Sequence, residues 1–225
     1  MTAIDVTITE LLPDHTADVF QLYERIMLSL PHGFLAERSV VEFQQILSVP
    51  ETSASVGAWR DGQLVAYVLY SARSGRMEHD SPVLSQLWKS GEPWLVSRGA
   101  GVDPEFRDMG IMAHLVEARK ALSKSKGFDH ATFLIARQNL VSLYAALRSG
   151  SWLVGFEHDE YCLNYLCYSG RFCDEVPLSS EANISLDDID SLRKHTSDGW
   201  VGISLDRKND SVADSVTLKK AGRFL

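Results

Sequence analysis

A segment in the middle of the chain, V-D-P-E-F-R-D-M-G-I-M at residues 102–112, contains residue types that favour anion binding. An apolar run ends there, Pro104 forces a turn, and a glycine-containing loop precedes a long amphipathic pattern. Backbone N–H groups at a helix N-terminus lack intrahelical partners and carry partial positive charge. Gly110 allows close approach of the backbone to a phosphate, and Arg107 adds charge. The segment therefore predicts a phosphate or diphosphate site.

The same spacing also has a purely structural interpretation, in which Pro104 and Gly110 only make a tight connection between a strand and a helix. Glycine-containing connections of this kind are common in α/β proteins. The chain has neither the G-x-G-x-x-G fingerprint of dinucleotide-binding domains nor the G-K-[S/T] signature of P-loop proteins. The spacing alone leaves the anion site and the structural turn both open.

The elements that must position this loop alternate between strands and helices. Apolar periodicity predicts strands at residues 6–12, 55–59, 63–70, 94–102, 131–136, 152–156 and 161–168, and helices at 19–30, 39–47, 109–126 and 140–147. Asp61-Gly62 predicts a tight hairpin, and a closing hairpin is expected through His158-Asp159. The resulting order is β-α-α-β-β-β-α-β-α-β-β, with an insert at 73–93 that includes a short helical pattern.

The sequence pattern changes after Gly170. A helix that begins near a Ser185/Asp188 capping box, a strand at 200–205 and a helix at 211–220 are predicted there. We therefore expect an α/β (α+β) protein with a main domain at residues 1–169 and a folded extension at 170–225. The extension is too small to hold a large core alone, so we expect it to pack on the main domain or on the second copy of a homodimer.

Composition narrows the class of protein. The 225 residues are 45% apolar and 23% charged, which excludes wholesale disorder. No apolar run approaches the roughly 18 residues that span a bilayer, and a net charge of −8 argues against a nucleic-acid surface, so neither partner is expected. Cys162, Cys167 and Cys173 lack the paired spacing of a zinc site and are too few for a disulfide scaffold. We expect a cytoplasmic protein with no metal site.

Residues 102–112 and the helix after them resemble the acyl-CoA-binding motif of the GNAT superfamily of N-acetyltransferases, written Q/R-x-x-G-x-G/A after a strand ending in V-x-P. The element order is also similar to that of the family. Leu143-Tyr144 followed by Gly155-Phe156 resembles its fourth helix and the strand beyond. The resemblance implies a mixed, mostly antiparallel central sheet flanked by helices. It also implies acetyl-CoA as the acyl donor and a small-molecule or peptide amine as the acceptor.

Carried over onto residues 3–168, the resemblance implies three sets of coenzyme contacts and one catalytic residue. The backbone of the splayed fourth strand would contact the pantetheine arm and the thioester carbonyl at Ala100, Gly101 and Val102. The diphosphate loop would consist of Arg107, Asp108, Met109, Gly110, Ile111, Met112 and Ala113. Asn139 would lie near the pantetheine, and Tyr144 near the coenzyme sulfur, where it would protonate the leaving thiolate.

Two residues depart from the family pattern, and each candidate also has a structural interpretation. Met112 stands where Gly or Ala is usual, and Asn139 precedes Tyr144 by fewer residues than the family commonly has. An N-cap role explains Asn139, and a place in an apolar helix stripe explains Tyr144. His114 and Arg119, on the helix after the loop, are expected to face solvent.

The sequence does not identify the base that would deprotonate the amine. The predicted strands at 94–102 and 131–136 contain no carboxylate. Glu78, His79 and Asp80 in the insert, or Glu92 beside the fourth strand, could face the acceptor, although charged loop residues are usually only solvated. We assign no catalytic role to them.

Three functions fit these observations. The first is transfer of an acetyl or other short acyl group from coenzyme A to a primary amine by direct attack. The second is transfer of a longer acyl chain, or transfer from an acyl-carrier protein, which Met112 and the C-terminal extension suggest. The third is a catalytically idle GNAT-like module that only binds coenzyme A.

Overall fold

The computed structural model describes residues 5–31, 34–35, 37–73, 81–158, 162–207 and 213–222. The chain divides into two compact units, Met1–Arg73 with Pro93–Asp129 and Ser74–Glu92 with His130–Leu225. Each unit has its own antiparallel strand pairs and flanking helices. The predicted mixed α/β fold is therefore confirmed, while the division of the chain at residue 170 stays a prediction.

The elements follow the predicted order through residue 170 and then add further strands. The strands are β1 (Thr7–Glu10), β2 (Val56–Arg60), β3 (Gln63–Arg73), β4 (Trp94–Val102), β5 (His130–Ala136), β6 (Trp152–His158), β7 (Leu163–Gly170), β8 (Leu178–Ser185), β9 (Trp200–Arg207) and β10 (Ala213–Ala221). The helices are α1 (Thr16–Leu28), α2 (Val40–Leu47), α3 (Pro82–Ser90), α4 (Ile111–Ser125), α5 (Leu140–Arg148), α6 (Phe172–Glu175) and α7 (Ile189–Ser197). Among the described residues, no helix is both long and apolar enough to cross a membrane.

The first unit is a sheet of order β1-β2-β3-β4 with helices on both faces. The hairpin predicted at Asp61-Gly62 is confirmed, since both residues have positive φ, 51° and 77°. Helix α2 begins with the reciprocal Ser39/Glu42 capping box, in which the serine hydroxyl accepts from the Glu42 amide and the glutamate accepts from the Ser39 amide. On one face of the sheet, α1 and α2 cover a core that includes Tyr67 of β3.

Helix α4 covers the other face and corrects one prediction. Its buried residues repeat at every fourth position, at Ile111, Leu115, Arg119 and Ser123. Arg119 is therefore buried rather than solvent-facing, and its guanidinium carbon lies 4.7 Å from the centre of the Tyr70 ring. The charge lies over an aromatic face instead of in water, while the buried Nε of Arg119 has no hydrogen-bond partner among the described residues. The prediction that His114 is exposed is confirmed.

The end of α4 opposite the loop is tied to three other segments of the first unit. The Lys126 ammonium group donates to the Glu10 carboxylate, to the Pro50 carbonyl at 2.7 Å and to the Ser53 carbonyl at 3.0 Å. A partly buried ammonium group with three acceptors uses its full donor capacity. These bonds fix the C-terminal end of the helix whose N-terminal end borders the loop.

The second unit has the strand order β5-β7-β6-β9-β10-β8. The predicted helix at 211–220 is wrong, because residues 213–221 form β10, which pairs with β9 on one side and with β8 on the other. The predicted strand at 200–205 is confirmed as β9. The helix predicted near a Ser185/Asp188 capping box forms as α7, but the box does not, because Asp188 itself is the N-cap and accepts from the Ser191 amide. Strand β9 meets β6 where Leu153 faces Gly202. The turn predicted at His158-Asp159 lies partly outside the described residues.

Candidate active site

The connection between β4 and α4 is fixed at its start by a buried carboxylate. Asp103 is 5% exposed, and its Oδ2 accepts a hydrogen bond from Nε of Arg25 in α1 at 3.0 Å. Its Oδ1 accepts from the backbone N–H of Glu105 at 3.2 Å, within the 3-10 turn Pro104–Phe106. A buried carboxylate is costly unless donors satisfy it. These two bonds therefore define where the strand ends and the loop begins.

The loop that follows exposes consecutive backbone N–H groups. In the stretch 81–158, which is described without a gap, the amides of residues 108–112 make no backbone hydrogen bond, whereas that of Ala113 donates to the Gly110 carbonyl at 3.1 Å. Asp108 and Gly110 have positive φ, 62° and 78°. Left-handed residues beside helical ones turn successive N–H groups into one concavity, and the α4 dipole adds positive charge. Such an arrangement of N–H groups has the geometry that phosphate-binding loops use.

Gly110 is required by its backbone conformation and not by crowding. A Cβ added there would meet nothing within 4 Å, so the space above the loop is open. At a φ of 78°, any residue with a Cβ is strained. Arg107 borders this space, and one of its terminal guanidinium nitrogens, Nη2, donates to the Ser29 hydroxyl at 2.7 Å. Of the predicted loop residues, Asp108, Met109, Gly110 and Ala113 are exposed, whereas the Ile111 side chain is buried.

Strand β4, which leads into the loop, contains a bulge. Leu69 pairs with Gly99 and Tyr70 with Ser97, so Arg98 has no partner residue in β3. Bulges redirect side chains and are frequent next to functional sites. Gly101 has a separate packing reason, because a Cβ there would lie 2.6 Å from Cδ1 of Ile26. The bulge sets the register of Ala100–Val102, the three residues that the family resemblance assigns to the thioester.

The other two predicted site residues, Asn139 and Tyr144, belong to α5 of the second unit. Asn139 is the N-cap, and its Oδ1 accepts from the Ser142 amide at 3.1 Å. Its capping role explains the residue structurally, as the sequence allowed. Tyr144 is partly buried against the core of this unit, and its hydroxyl accepts from Nη1 of Arg148 at 3.5 Å.

A buried polar network in the second unit escaped the sequence analysis. His130 Nε2 lies 2.6 Å from Oε2 of Glu92, and His130 Nδ1 lies 2.7 Å from the Tyr168 hydroxyl. The other Glu92 oxygen accepts from a terminal guanidinium nitrogen of Arg171 at 2.6 Å. The hydrogen bond with His130, and then that with Arg171, lower the pKa of Glu92 although partial burial opposes them. Among the base candidates, Glu92 is therefore committed to a structural network, while Glu78, His79 and Asp80 lie outside the described residues.

Comparison with known proteins agrees with this fold. The family model described as "Acetyltransferase (GNAT) family" matches residues 18–148, more than half of the chain. The chain belongs to the GNAT acetyltransferase family, a class defined by acyl transfer from acyl-coenzyme A. A search of curated proteins finds no match.

Three solved structures that resemble the chain are distant in sequence and therefore support the fold alone. An N-acetyltransferase from Staphylococcus aureus is 11% identical with a TM-score of 0.57, over 74% of this chain and 98% of the other. A GNAT-family acetyltransferase from Streptococcus pneumoniae is 12% identical with a TM-score of 0.55, over 74% and 100%. Diaminobutyrate acetyltransferase from Paenibacillus lautus, solved with its substrate and coenzyme A, is 14% identical with a TM-score of 0.51, over 74% and 95%.

Proposed function

We propose that the protein transfers an acetyl or other short acyl group from coenzyme A to a primary amine by direct attack in a ternary complex. The observation that carries the proposal is the loop after β4. Its five consecutive amides have no backbone acceptor, and its residues with positive φ lie at the N-terminus of α4. A diphosphate is the anion that such a site fits. The structure of the Paenibacillus lautus protein was solved with an amine substrate and coenzyme A, the pair of substrates that we propose here.

In this proposal the loop residues 107–113 bind the diphosphate, and Asn139 contacts the pantetheine arm. The backbone of Ala100, Gly101 and Val102 holds the thioester carbonyl. Binding energy from the distant phosphates then fixes the thioester for attack. The amine must first lose its proton, because a lysine-like amine with a pKa of about 10.4 is mostly charged at neutral pH.

The chemical step is an addition followed by an elimination. The neutral amine nitrogen attacks the thioester carbon, and backbone N–H groups of β4 stabilise the charge on the carbonyl oxygen. The carbon–sulfur bond then breaks, and the Tyr144 hydroxyl donates its proton to the thiolate. The products are an amide and free coenzyme A. The proton lost by the amine passes to a base directly or through water.

Two measurements test the proposal. Calorimetry with coenzyme A should report binding, and acetyl-CoA with a panel of amines should release thiol faster than acetyl-CoA alone. Tyr144→Phe should reduce kcat by about 100-fold or more, as loss of a general acid does, while leaving coenzyme A binding intact. Tyr165→Phe is the matched control, because Tyr165 packs in the same core as Tyr144 and the change removes the same hydroxyl.

The outcomes separate the alternatives. Coenzyme A binding without turnover of any amine would assign the protein to the idle binding modules. Turnover with long-chain acyl-CoA or an acyl-carrier protein, but not with acetyl-CoA, would assign it to the second class of transferase. The absence of any coenzyme A binding would refute the proposal altogether. Unchanged turnover in Tyr144→Phe would refute the acid role alone.

We also propose a cytoplasmic location, supported by the small number and unpaired spacing of the cysteines in the sequence. Burial raises the pKa of the Cys167 thiol and makes it unreactive. A homodimer remains part of the proposal. Sizing chromatography of the full chain tests it, and a monomer at all concentrations would refute it.

A further inference from the structure

The bulge in β4 directs an arginine onto the face of the first unit that α1 and α2 cover. Nε of Arg98 donates to the Ser71 hydroxyl at 2.7 Å. In β3, Ser71 lies on the same side as Tyr67 and Leu69, because side chains alternate along a strand, and both of those residues pack in the α1/α2 core. Arg73 follows two positions later on that side. The guanidinium group of Arg98 therefore lies on the α1/α2 face, on the same side of the sheet as Arg73.

A third arginine lies beside this pair. The backbone N–H of Arg38, just before α2, donates to the Tyr23 hydroxyl at 2.9 Å, which fixes it against α1. Burial first, and then the charges of Arg38 and Arg73, lower the pKa of Arg98. The charges of Arg38 and Arg73 therefore both act on Arg98; Arg38 and Arg98 are partly buried, and Arg73 is exposed.

The cluster has more positive charge than its carboxylates neutralise. Arg38 pairs with Glu42 at 3.5 Å, but that carboxylate also accepts two closer hydrogen bonds from Ser39. For the part of the chain that the structure describes, neither Arg73 nor Arg98 forms an ion pair. A partly buried cation among like charges is costly unless an anion joins it. Among the described residues, Glu37 and Glu42 flank Arg38, whereas Arg73 and Arg98 have no carboxylate partner.

We propose that Arg98, with Arg73 and Arg38, binds a carboxylate group of the acceptor, so that the substrate is an amine that also carries a carboxylate. The inference rests on the proposed function, because it places the carboxylate relative to the thioester. Arg98 precedes Ala100 by two residues, or about 7 Å of strand. An ω-amino acid spans that length between its carboxylate and its amine. Planar guanidinium groups match a carboxylate in a bidentate geometry.

The test uses ω-amino acids from glycine to 6-aminohexanoate, each paired with its amide, as acceptors for acetyl-CoA. In the wild type, kcat/KM at the best chain length should favour the acid over the amide by about tenfold or more, as a charge-assisted hydrogen bond predicts. Arg98→Gln should bring that ratio close to one. Arg193→Gln, which removes the same charge from α7 of the second unit, should leave it unchanged. Arg73→Gln, at an exposed position, should reduce the ratio if Arg98→Gln does not fold.

Equilibrium binding separates this inference from the proposed function. Calorimetry compares each acid and amide on wild type and Arg98→Gln, with and without coenzyme A. Acid binding that disappears in Arg98→Gln supports the anion site even if no amine is turned over, and the proposed function then fails alone. Turnover in which the acid-to-amide ratio of kcat/KM is near one at every chain length, or is unchanged in Arg98→Gln, overturns the anion site alone. Weaker binding of coenzyme A in Arg98→Gln would assign the cluster to the coenzyme phosphates and also overturn it.

Discussion

Two glycines at opposite ends of α4 allow the proposed diphosphate loop to be tested against a matched control. Gly110 lies at the N-terminal end with a φ of 78°, and Gly127 follows the C-terminal end with a φ of 79°. A Cβ added to either would meet nothing within 4 Å. Replacement by alanine therefore imposes the same left-handed strain at both positions, about 1–2 kcal/mol, and no steric clash at either.

Only one of these substitutions should affect coenzyme binding. In Gly110→Ala the strain is relieved by turning the loop, and the amides of residues 108–112 then lose their common direction. Loss of one hydrogen bond to a charged phosphate costs about 1.5–3 kcal/mol, so the Kd for coenzyme A should rise by about 10- to 100-fold. In Gly127→Ala the Kd should stay within twofold.

Calorimetry with coenzyme A gives both dissociation constants, and thermal unfolding without ligand gives both stabilities. The two variants should lose similar stability while differing in affinity. Equal affinity in the two variants, at equal loss of stability, would refute the assignment of the diphosphate to this loop. An affinity loss confined to Gly127→Ala would refute it equally.

Three further predictions concern residues around the loop and the buried network. Gly101→Ala should lower stability by about 1–3 kcal/mol because its Cβ meets Cδ1 of Ile26. Adding Ile26→Val, which removes that Cδ1, should restore part of the loss. Thermal unfolding measures both variants, and a double variant no more stable than Gly101→Ala would contradict the clash. Asp103→Asn should lower the free energy of unfolding by about 1–2 kcal/mol and weaken coenzyme A binding, because Arg25 and the turn after β4 both lose a charged acceptor. An unchanged Kd for coenzyme A would contradict the anchoring role. Because the pKa of Glu92 is lowered from 4.5, its ionised form stabilises the fold at higher pH, and that contribution is lost as the pH falls below about 4.5. The melting temperature of Glu92→Gln should therefore depend less on pH across that window than the melting temperature of the wild type. The same pH dependence in both proteins would contradict the pairing with His130.

Local signals explain which parts of the fold could be predicted. Strand β4 has the predicted bounds, 94–102, because its apolar run is closed by the Asp103-Pro104 turn. The hairpin at Asp61-Gly62 depends on two adjacent residues that tolerate positive φ. The loop around Gly110 is predictable for the same reason, since its conformation is a property of a few consecutive residues.

The errors come from contacts that sequence spacing does not contain. The sequence predicts a helix over 211–220, yet Val216 and Leu218 are buried two apart, and pairing of β10 with strands on both sides decides the conformation. Arg119 was placed in solvent because arginine is rarely buried, and only the ring of Tyr70, 49 residues earlier in the sequence, makes its position favourable. Tertiary structure overrides local preference in both cases.

The candidate site divides in the same way. The amides of residues 108–112 follow from local backbone, whereas the direction of Arg98 depends on a register shift against β3 that no short segment encodes. The pairing of Glu92 with His130 joins residues 38 apart, so it too is a product of the fold. Sequence therefore predicts the part of the site made of main chain better than the part made of distant side chains.

The pairing of β9 with β6 has a consequence for how a shortened chain would behave. Strand β6 is lined by buried residues, and without β9 its backbone donors and acceptors would form an open, apolar edge that recruits strands from other molecules. Strand β8, which ends the strand order of this unit, has exposed Ser179, Glu181 and Asn183, and such polar side chains discourage that kind of association. Strands β8, β9 and β10 therefore replace an aggregation-prone sheet edge with a hydrophilic one. Self-association of a chain cut at residue 170 would then reflect the exposed edge of β6 rather than a natural dimer.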